Sequence, residues 1–378
     1  MQLGLSENLS ALVARRFTTA KEAGHLVFSS THLSIIHAAG IPYQLRYCPA
    51  LAKKPSNLQQ QQPSPAGPKP PKPDPFQDPS PDLLIAQFPA EKPAYSLVLN
   101  KFPVIPNHFI LATVDWQAQT DLLVREDLEA TYECLRAWGV DESFHEGSNG
   151  SSTSSSFPSP KNPKKKLFAF FNSGDDSGAS QPHRHLQFLP VEAMRAQPSS
   201  EKEPTSPNPA WDPLIETLST TSSTSQSSFQ SLSQLPFAHF ALPLPPNPSP
   251  ETLHTIYLRL YRAAVAATHG QTADQYPENI PTEGPAVISY NLAMTLSTML
   301  ICPRRQETAR VPVDAAAASE KILDSGVLSL NGTLLAGTLM VKAESEWDAL
   351  RRNPGLLTGV LADVGHPRWD RWDVSSLG

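Results

Sequence analysis

The chain has 378 residues and a mass of 41.2 kDa, enough for one large domain or two ordinary ones. It carries 30 Lys and Arg residues against 36 Asp and Glu residues. The resulting formal net charge of −6 argues against general electrostatic binding to nucleic acid or to an anionic membrane. Prolines number 39, yet hydrophobic residues still make up 39%, which predicts a globular protein with proline-rich segments outside its core.

The three cysteines, Cys48, Cys134 and Cys302, lie far apart and show no CxxC spacing. They suit neither a disulfide framework nor a thiolate zinc site, which predicts a reducing compartment. The N-terminus lacks the hydrophobic core of a signal peptide, and the longest apolar stretch, 286–302, is too short and polar to span a membrane. We therefore expect a soluble protein of the cytoplasm, with the nucleus as a second location.

In the first half of the chain, hydrophobic periodicity predicts a few regular elements between low-complexity stretches. The predicted elements are, in chain order, strands at 95–99 and 108–114, a helix at 121–138, and strands at 167–171 and 185–191. Thr120 is placed to cap the helix. Segments 55–81 and 147–166, rich in Pro and Ser, cannot bury enough apolar surface to offset their ordering entropy, and we expect both to be disordered.

The second half begins with a third low-complexity segment, 197–234, rich in Ser, Thr and Pro. Ser249 and Pro250 predict a helix start, and Gly270 its end. The other predicted elements are strands at 237–242, 287–292, 326–330 and 334–342 and helices at 344–351 and 356–364. Since strands dominate both halves without a βαβ rhythm, the pattern favours an α+β fold with a mainly antiparallel sheet.

One polar motif stands out within a predicted strand. His183, His185 and Gln187 lie two residues apart, so a strand places them on one face, while Leu186 and Phe188 point to the other face, towards a core. The preceding turn, 178–181, has small residues that let backbone N–H groups approach an anion.

The histidines have three interpretations. As metal ligands they lack a third ligand at a suitable spacing, and as ordinary strand-surface residues they need no function. A histidine nucleophile in a phosphate-binding cleft fits better. Imidazole is uncharged near neutral pH, can attack phosphorus, and is also a good leaving group.

The motif belongs to a longer match centred on Gly178-Ala179-Ser180-Gln181-Pro182-His183-Arg184-His185-Leu186-Gln187. This stretch resembles the fungal diadenosine tetraphosphate phosphorylases, also called ATP adenylyltransferases. They belong to the histidine-triad superfamily, in the branch with galactose-1-phosphate uridylyltransferase. Further segments that resemble the family follow one another along nearly all of the predicted ordered chain, at 48–55, 74–76, 99–104, 106–109, 235–237, 289–292, 303–304 and 335–337.

The resemblance implies a histidine-triad-like fold and a nucleotidyltransferase that converts diadenosine tetraphosphate and phosphate reversibly to ATP and ADP. It implies that His185 is the nucleophile and takes up AMP as a covalent adenylyl-histidine, with His183 orienting it. Gln187 stands where histidine-triad hydrolases keep a third histidine. A carboxamide can hold phosphate oxygens but cannot relay a proton to water, so we expect transfer to phosphate rather than to water.

The resemblance also implies residues that bind the nucleotide. Lys54 and Lys101 suit the polyphosphate, with Asn100 beside the latter. The remaining implied contacts are Asn172, Gly178, Ala179, Ser180, Gln181, Gln187, Asn291, Met294, Thr295 and Arg304. A divalent cation, magnesium, is expected to arrive with the nucleotide rather than to sit in a protein site.

The family also implies an organisation and a set of partners. We expect a phosphorylase N-terminal region at 1–195, a linker at 196–234 and a C-terminal ATP adenylyltransferase domain at 235–378. The expected partners are diadenosine polyphosphates, ATP, ADP and inorganic phosphate, with neither nucleic acid nor membrane. The protein is expected to be a monomer or a weak dimer.

The sequence departs from the family in three places. Two insertions, 147–166 and 197–234, are longer than expected, and 296–300 reads Leu-Ser-Thr-Met-Leu where relatives usually have a charged pair and a tryptophan. Two other functions stay open. One is ADP-sulfurylase-type transfer from adenosine 5′-phosphosulfate to phosphate. The other, which only the altered 296–300 stretch supports, is a catalytically silent nucleotide sensor.

Overall fold

The computed structural model describes residues 3–53, 73–139, 165–196, 211–219, 229–271, 279–313 and 326–368. Most of the three low-complexity segments lies outside these residues, as does Lys54. The helices are α1 (Leu9–Glu22), α2 (Arg125–Trp138), α3 (Val191–Arg195), α4 (Leu214–Ser219), α5 (Pro250–Thr268), α6 (Glu344–Arg352) and α7 (Leu356–Val364). In this part of the chain, no helix is both long enough and apolar enough to cross a membrane.

In the described residues, three sheets are built from thirteen strands. They are β1 (His32–Ala38), β2 (Ile41–Tyr47), β3 (Leu84–Phe88), β4 (Tyr95–Leu99), β5 (Phe109–Thr113), β6 (Leu167–Ser173), β7 (His185–Pro190), β8 (Phe240–Pro243), β9 (Tyr290–Met294), β10 (Thr298–Pro303), β11 (Thr308–Arg310), β12 (Val327–Ser329) and β13 (Thr338–Val341). The central sheet has eight strands in the order β3-β4-β5-β7-β6-β9-β10-β8, each antiparallel to its neighbours.

A smaller sheet, β1-β2-β13, contains the parallel pair β2–β13, and β11 pairs with β12. The predicted α+β fold with a mainly antiparallel sheet is therefore confirmed.

Side-chain alternation divides most of the central sheet between two large hydrophobic cores, and a third, smaller cluster covers part of β4 and β5. On β6, Ala169 and Phe171 pack in a first core with helices α1, α2 and α5. Phe168 and Phe170 point the other way, into a second core with the smaller sheet and helices α3, α4, α6 and α7. Both faces of β6 are therefore covered, which explains its nearly continuous run of apolar residues.

The predicted helix at 121–138 begins four residues late. The backbone N–H of Leu122 donates to the Gly284 carbonyl, and that of Leu123 donates to the Tyr257 hydroxyl, so this segment is tied to the second half of the chain. Thr120 is therefore not the helix cap. Instead the Asp127 carboxylate accepts the N–H of Val124 at 3.0 Å.

In the second half, some predicted elements are shifted. Helix α5 has the expected Ser249 cap, whose hydroxyl accepts the Thr252 N–H at 3.2 Å. The strand predicted at 334–342 is shortened to β13 because residues 332–336 form a 3₁₀ turn that ends at Gly337, with a left-handed φ of +70°. The strands predicted at 237–242 and 287–292 start three residues later than predicted, as β8 and β9. Among the elements that the sequence did not predict are α1, β1, β2, β3 and β10.

Candidate active site

The polar motif lies on the face of the central sheet opposite the first core. His185 begins β7 and His183 comes just before it, and alternation puts both with Gln187 on one face. Leu186 and Phe188 pack in the first core, as the pattern predicts. The sequence spacing therefore predicted correctly which side chains share each face of the strand.

The His185 imidazole is held in one orientation. Its Nδ1 lies 2.8 Å from the His183 carbonyl oxygen, which can only accept, so Nδ1 carries the proton and Nε2 carries the lone pair. The residue is only 2% exposed, and burial lowers the pKa of its imidazole to about 4. Among the described residues, Nε2 has no hydrogen-bond partner. A neutral ring with an unused lone pair suits a nucleophile.

His183 is fully buried, and both of its nitrogens are bonded. Nδ1 lies 2.6 Å from Oδ2 of Asp74, and Nε2 lies 2.9 Å from the Thr113 hydroxyl. The ring of Phe76 covers both histidines, with its centroid 4.9 Å from that of His185 and 5.8 Å from that of His183. His183 therefore supports its neighbour and has no nitrogen left for attack.

A glutamine side chain fills a gap between the two central strands. Strands β6 and β7 pair as far as Phe170 and Gln187, after which β6 continues only beside β9. In the gap, Oε1 of Gln119 accepts the His185 N–H at 2.7 Å, while Nε2 donates to the carbonyls of His185 at 3.2 Å and Asn172 at 2.7 Å. This carboxamide replaces the missing backbone pairing and fixes the start of β7 where the sheet opens.

Asn172 presents an unused donor in this opening. Its Oδ1 accepts from Nδ2 of Asn291 and from the Gly332 N–H, both at 2.9 Å, so its Nδ2 points away from them. Nδ2 is buried without a partner among the described residues, a state that costs about 1–3 kcal/mol unless a ligand oxygen satisfies it. The approach needs a glycine, since a Cβ at Gly332 would lie 2.8 Å from Oδ1 of Asn172.

The turn between β6 and β7 lies next to Asn172. Gly174 and Gly178 have φ values of +87° and +76°, and a Cβ at Gly178 would lie 2.9 Å from the Leu330 carbonyl oxygen. Ala179, Ser180 and Gln181 follow at partly or fully exposed positions. The turn is thus held against the second half of the chain and leaves its last residues open to a ligand.

The other predicted ligand residues differ in whether their side chains are available to a ligand. Lys101 is exposed, with its ammonium 5.8 Å from the Phe102 ring centroid, whereas Asn100 is bonded to His108 and to the Phe102 N–H. Met294 packs in the first core, on the face opposite His185, so only its backbone could reach a ligand on the site face. Thr295 lies four residues beyond Asn291, about 13 Å along an extended strand.

Arg304 is buried and its guanidinium is used within the protein. It donates to Oδ1 of Asn291 and to the carbonyls of Val364, Gln306 and Leu330. Through Asn291 it fixes the carboxamide that orients Asn172. The structure thus places Arg304 behind the site rather than in it, and its predicted nucleotide contact stays a prediction.

Arg184, between the two histidines, points to the opposite face and forms a buried ion pair. Its Nη1 lies 3.0 Å from Oδ2 of Asp127 in helix α2. The same carboxylate accepts the Tyr95 hydroxyl at 2.8 Å. Burial raises the pKa of Asp127, whereas the charge of Arg184 opposes that rise. The pair anchors the histidine segment to the helix beneath the sheet.

Sequence reasoning missed several residues that the structure brings to the histidines. They are Asp74, Phe76, His108, Thr113 and Gln119. Asp74, Phe76 and His108 lie in segments that carry the family resemblance, which was the available signal, whereas none marked Thr113 or Gln119. The described residues contain no group of three or more His, Cys, Asp or Glu that could hold a metal ion.

The antiparallel sheet with a buried histidine pair at its centre defines a histidine-triad-like α+β protein. The Ap4A phosphorylase N-terminal domain model matches residues 2–156 and 164–207, and the ATP adenylyltransferase C-terminal domain model matches residues 233–367. The chain therefore belongs to the Ap4A phosphorylase family, as the sequence resemblance predicted.

Individual relatives align with this chain over nearly its full length. It is 26% identical to Protein APA1 and 25% identical to diadenosine 5′,5‴-P1,P4-tetraphosphate phosphorylase 2, both of Saccharomyces cerevisiae. The two alignments cover 97% and 96% of this chain and 96% of each relative. The crystal structure of yeast Ap4A phosphorylase Apa2 matches the fold with a TM-score of 0.69 at 23% identity, covering 96% of this chain and 99% of that one. Apa2 has also been solved in complex with Ap4A, and that structure matches with a TM-score of 0.67.

Proposed function

We propose that this protein catalyses the reversible phosphorolysis of diadenosine tetraphosphate to ATP and ADP through an adenylyl-His185 intermediate. Family membership supports the overall reaction. The observation that carries the chemical step is the His185 ring, neutral and fixed through Nδ1, with Nε2 unbonded among the described residues.

In the first step, the lone pair on Nε2 of His185 attacks the α-phosphorus of the dinucleotide. A P–N bond forms, the bond from that phosphorus to the bridging oxygen breaks, and ATP leaves. The ring gains positive charge as the bond forms. The His183 carbonyl, 2.8 Å from Nδ1, stabilises that charge by accepting the N–H.

In the second step, an oxygen of inorganic phosphate attacks the same phosphorus. The P–N bond breaks and ADP is released, so dinucleotide plus phosphate gives ATP plus ADP. Asp74 and Thr113 hold the His183 ring, while Gln119 holds the backbone of His185. The nucleophile therefore returns to the same position for the next cycle.

Hydrogen-bond donors that are already held in position stabilise the negative charge that develops on the α-phosphate. Nδ2 of Asn172 is one, and the backbone of the turn 178–181 supplies others. Lys54 and Lys101 are proposed to bind the distal phosphates. Magnesium is proposed to enter bound to those phosphates and to neutralise part of their charge.

Product analysis tests the proposal directly. Labelled diadenosine tetraphosphate is incubated with the protein, with and without inorganic phosphate, and a third incubation offers adenosine 5′-phosphosulfate plus phosphate. We expect ATP and ADP in equal amounts when phosphate is present. Without phosphate we expect at most one AMP per protein, trapped as an acid-labile adduct.

Each other outcome would contradict the proposal in a recognisable way. AMP formed catalytically without phosphate would indicate a hydrolase, and efficient ADP formation only from the phosphosulfate would indicate an ADP-sulfurylase-type enzyme. Nucleotide binding without any adduct would indicate a silent sensor.

Gln187→His is expected to raise the ratio of AMP to ADP among the products. An imidazole at this position can accept a proton from water and so activate it, whereas the native carboxamide cannot. The measurement is the AMP:ADP ratio at fixed phosphate concentration.

Gln187→Asn is the matched control, because its shorter carboxamide is equally unable to relay a proton. It should slow the reaction and change the ratio much less than Gln187→His does. An unchanged ratio in Gln187→His would reject the role assigned to this position.

A further inference from the structure

His108 occupies a position from which it can act on Gln187. It immediately precedes β5 and is 7% exposed. Its Nε2 lies 3.1 Å from Oε1 of Gln187, and its Nδ1 lies 3.0 Å from Nδ2 of Asn100. A continuous chain of side chains thus runs from Asn100 through one imidazole to the motif glutamine.

The direction of each hydrogen bond in this chain follows from the orientation of the Asn100 carboxamide. Oδ1 of Asn100 accepts the Phe102 N–H at 2.9 Å, so Nδ2 is the atom turned to His108 and must donate. Nδ1 of His108 therefore accepts, which leaves the ring proton on Nε2. That N–H donates to Oε1 of Gln187, so the carboxamide NH₂ of Gln187 is the part left for a ligand.

We propose that His108 is a positioning residue that holds the Gln187 carboxamide with its NH₂ towards the substrate phosphates. The inference rests on the proposed phosphorolysis and adds what keeps the adenylyl group from water. In the held orientation Gln187 can only donate to anionic oxygens. Turned over, its Oε1 would repel phosphate and accept a hydrogen bond from a water molecule, which positions the water without deprotonating it. When that water attacks the adenylyl phosphorus, the P–N bond breaks, the proton passes to Nε2 of His185 and AMP is released.

Two isosteric variants separate the contact with Gln187 from the contact with Asn100. The amide nitrogen of His108→Gln can reach the place of Nε2 and still donate to Gln187. The side chain of His108→Asn ends near the place of Nδ1, so it keeps a partner for Asn100 but cannot reach Gln187. Both variants are measured for turnover, AMP:ADP ratio and thermal unfolding.

We expect His108→Asn to lower kcat for phosphorolysis and to raise the AMP:ADP ratio, each about five- to tenfold, the size expected for loss of one hydrogen bond. His108→Gln should stay within about twofold on both measures. In a Gln187→Asn background, His108→Asn should have no further effect on the ratio, since the two residues act as one unit. Equal effects of the two His108 variants, or full additivity in that background, would overturn the proposal.

A measurement that needs no turnover distinguishes this inference from the proposed function. Nitrogen NMR of the full chain, with His108 assigned by comparison with His108→Asn, should show a protonated Nε2 and an unprotonated Nδ1. The opposite tautomer would overturn the positioning role while leaving phosphorolysis intact. Failure of the unmodified protein to make ATP and ADP would instead reject the proposed function, and the positioning role with it.

Discussion

Replacing His185 with asparagine is expected to lower turnover by roughly three to six orders of magnitude, the range seen when a nucleophile is removed. The asparagine amide can still donate to the His183 carbonyl, so the start of β7 should keep its shape. It has no atom at the place of Nε2 and no lone pair to attack phosphorus. Initial rates of ATP formation measure the loss, and thermal unfolding checks that the variant is folded.

The chain offers a matched control at His239. This residue is also buried, and its Nδ1 lies 2.8 Å from the carbonyl two residues before it, Phe237. Burial lowers the pKa of His239 to about 4 as well. Its Nε2, however, accepts the Leu232 N–H at 2.8 Å, so it is not free for chemistry. His239→Asn should therefore reduce stability and leave turnover per folded molecule nearly unchanged.

A rescue experiment sharpens the same prediction. His185→Gly opens space for free imidazole, which should restore part of the adenylyl transfer and accumulate as adenylyl-imidazole when phosphate is omitted. Retention of most activity by His185→Asn would reject this residue as the nucleophile, whatever the rescue shows.

Breaking the ion pair beneath the histidines is expected to give the largest change in stability. Arg184→Met leaves the Asp127 carboxylate buried beside an apolar chain, which should destabilise the protein by about 3–5 kcal/mol. Adding Asp127→Asn should recover part of this loss, because asparagine is uncharged and its one side-chain oxygen can accept from either the Tyr95 hydroxyl or the Val124 N–H. Chemical denaturation of the single and double variants measures the free energies of unfolding.

Arg136→Met serves as the control for this cycle. Arg136 pairs with Glu133 on the exposed side of helix α2, and its side chain is 54% exposed. Because water screens such a pair, the change should cost less than about 1 kcal/mol. Should Arg184→Met cost no more than this control, the pair would not anchor the histidine segment.

The spacing of His183, His185 and Gln187 predicted their shared face because strand alternation is a local property of the backbone. The same reasoning could not predict the contacts that hold these residues in place. Asp74 lies 109 positions before His183, and Gln119 lies 66 positions before His185. Such contacts depend on how distant segments pack, and no periodicity in the chain records them.

Met294 and the start of helix α2 illustrate two other limits. Met294 lies opposite Ala169 across the β6–β9 pair, which places it on the core face. The sequence does not reveal which residues pair across two strands, so this register could be determined only from the sheet itself. Residues 121–123 have a helical pattern, but tertiary hydrogen bonds to Gly284 and Tyr257 compete successfully for their backbone.

The central sheet is continuous across the boundary between the two family regions, because β6 of the first pairs with β9 of the second and brings Asn172 opposite Asn291. A fragment ending before the second region would leave β6 as an open edge and would remove both donors from Oδ1 of Asn172. The halves are consequently inseparable as catalysts. The segment between them is constrained as well, because helix α4 packs in the second core and so ties this connection to both halves.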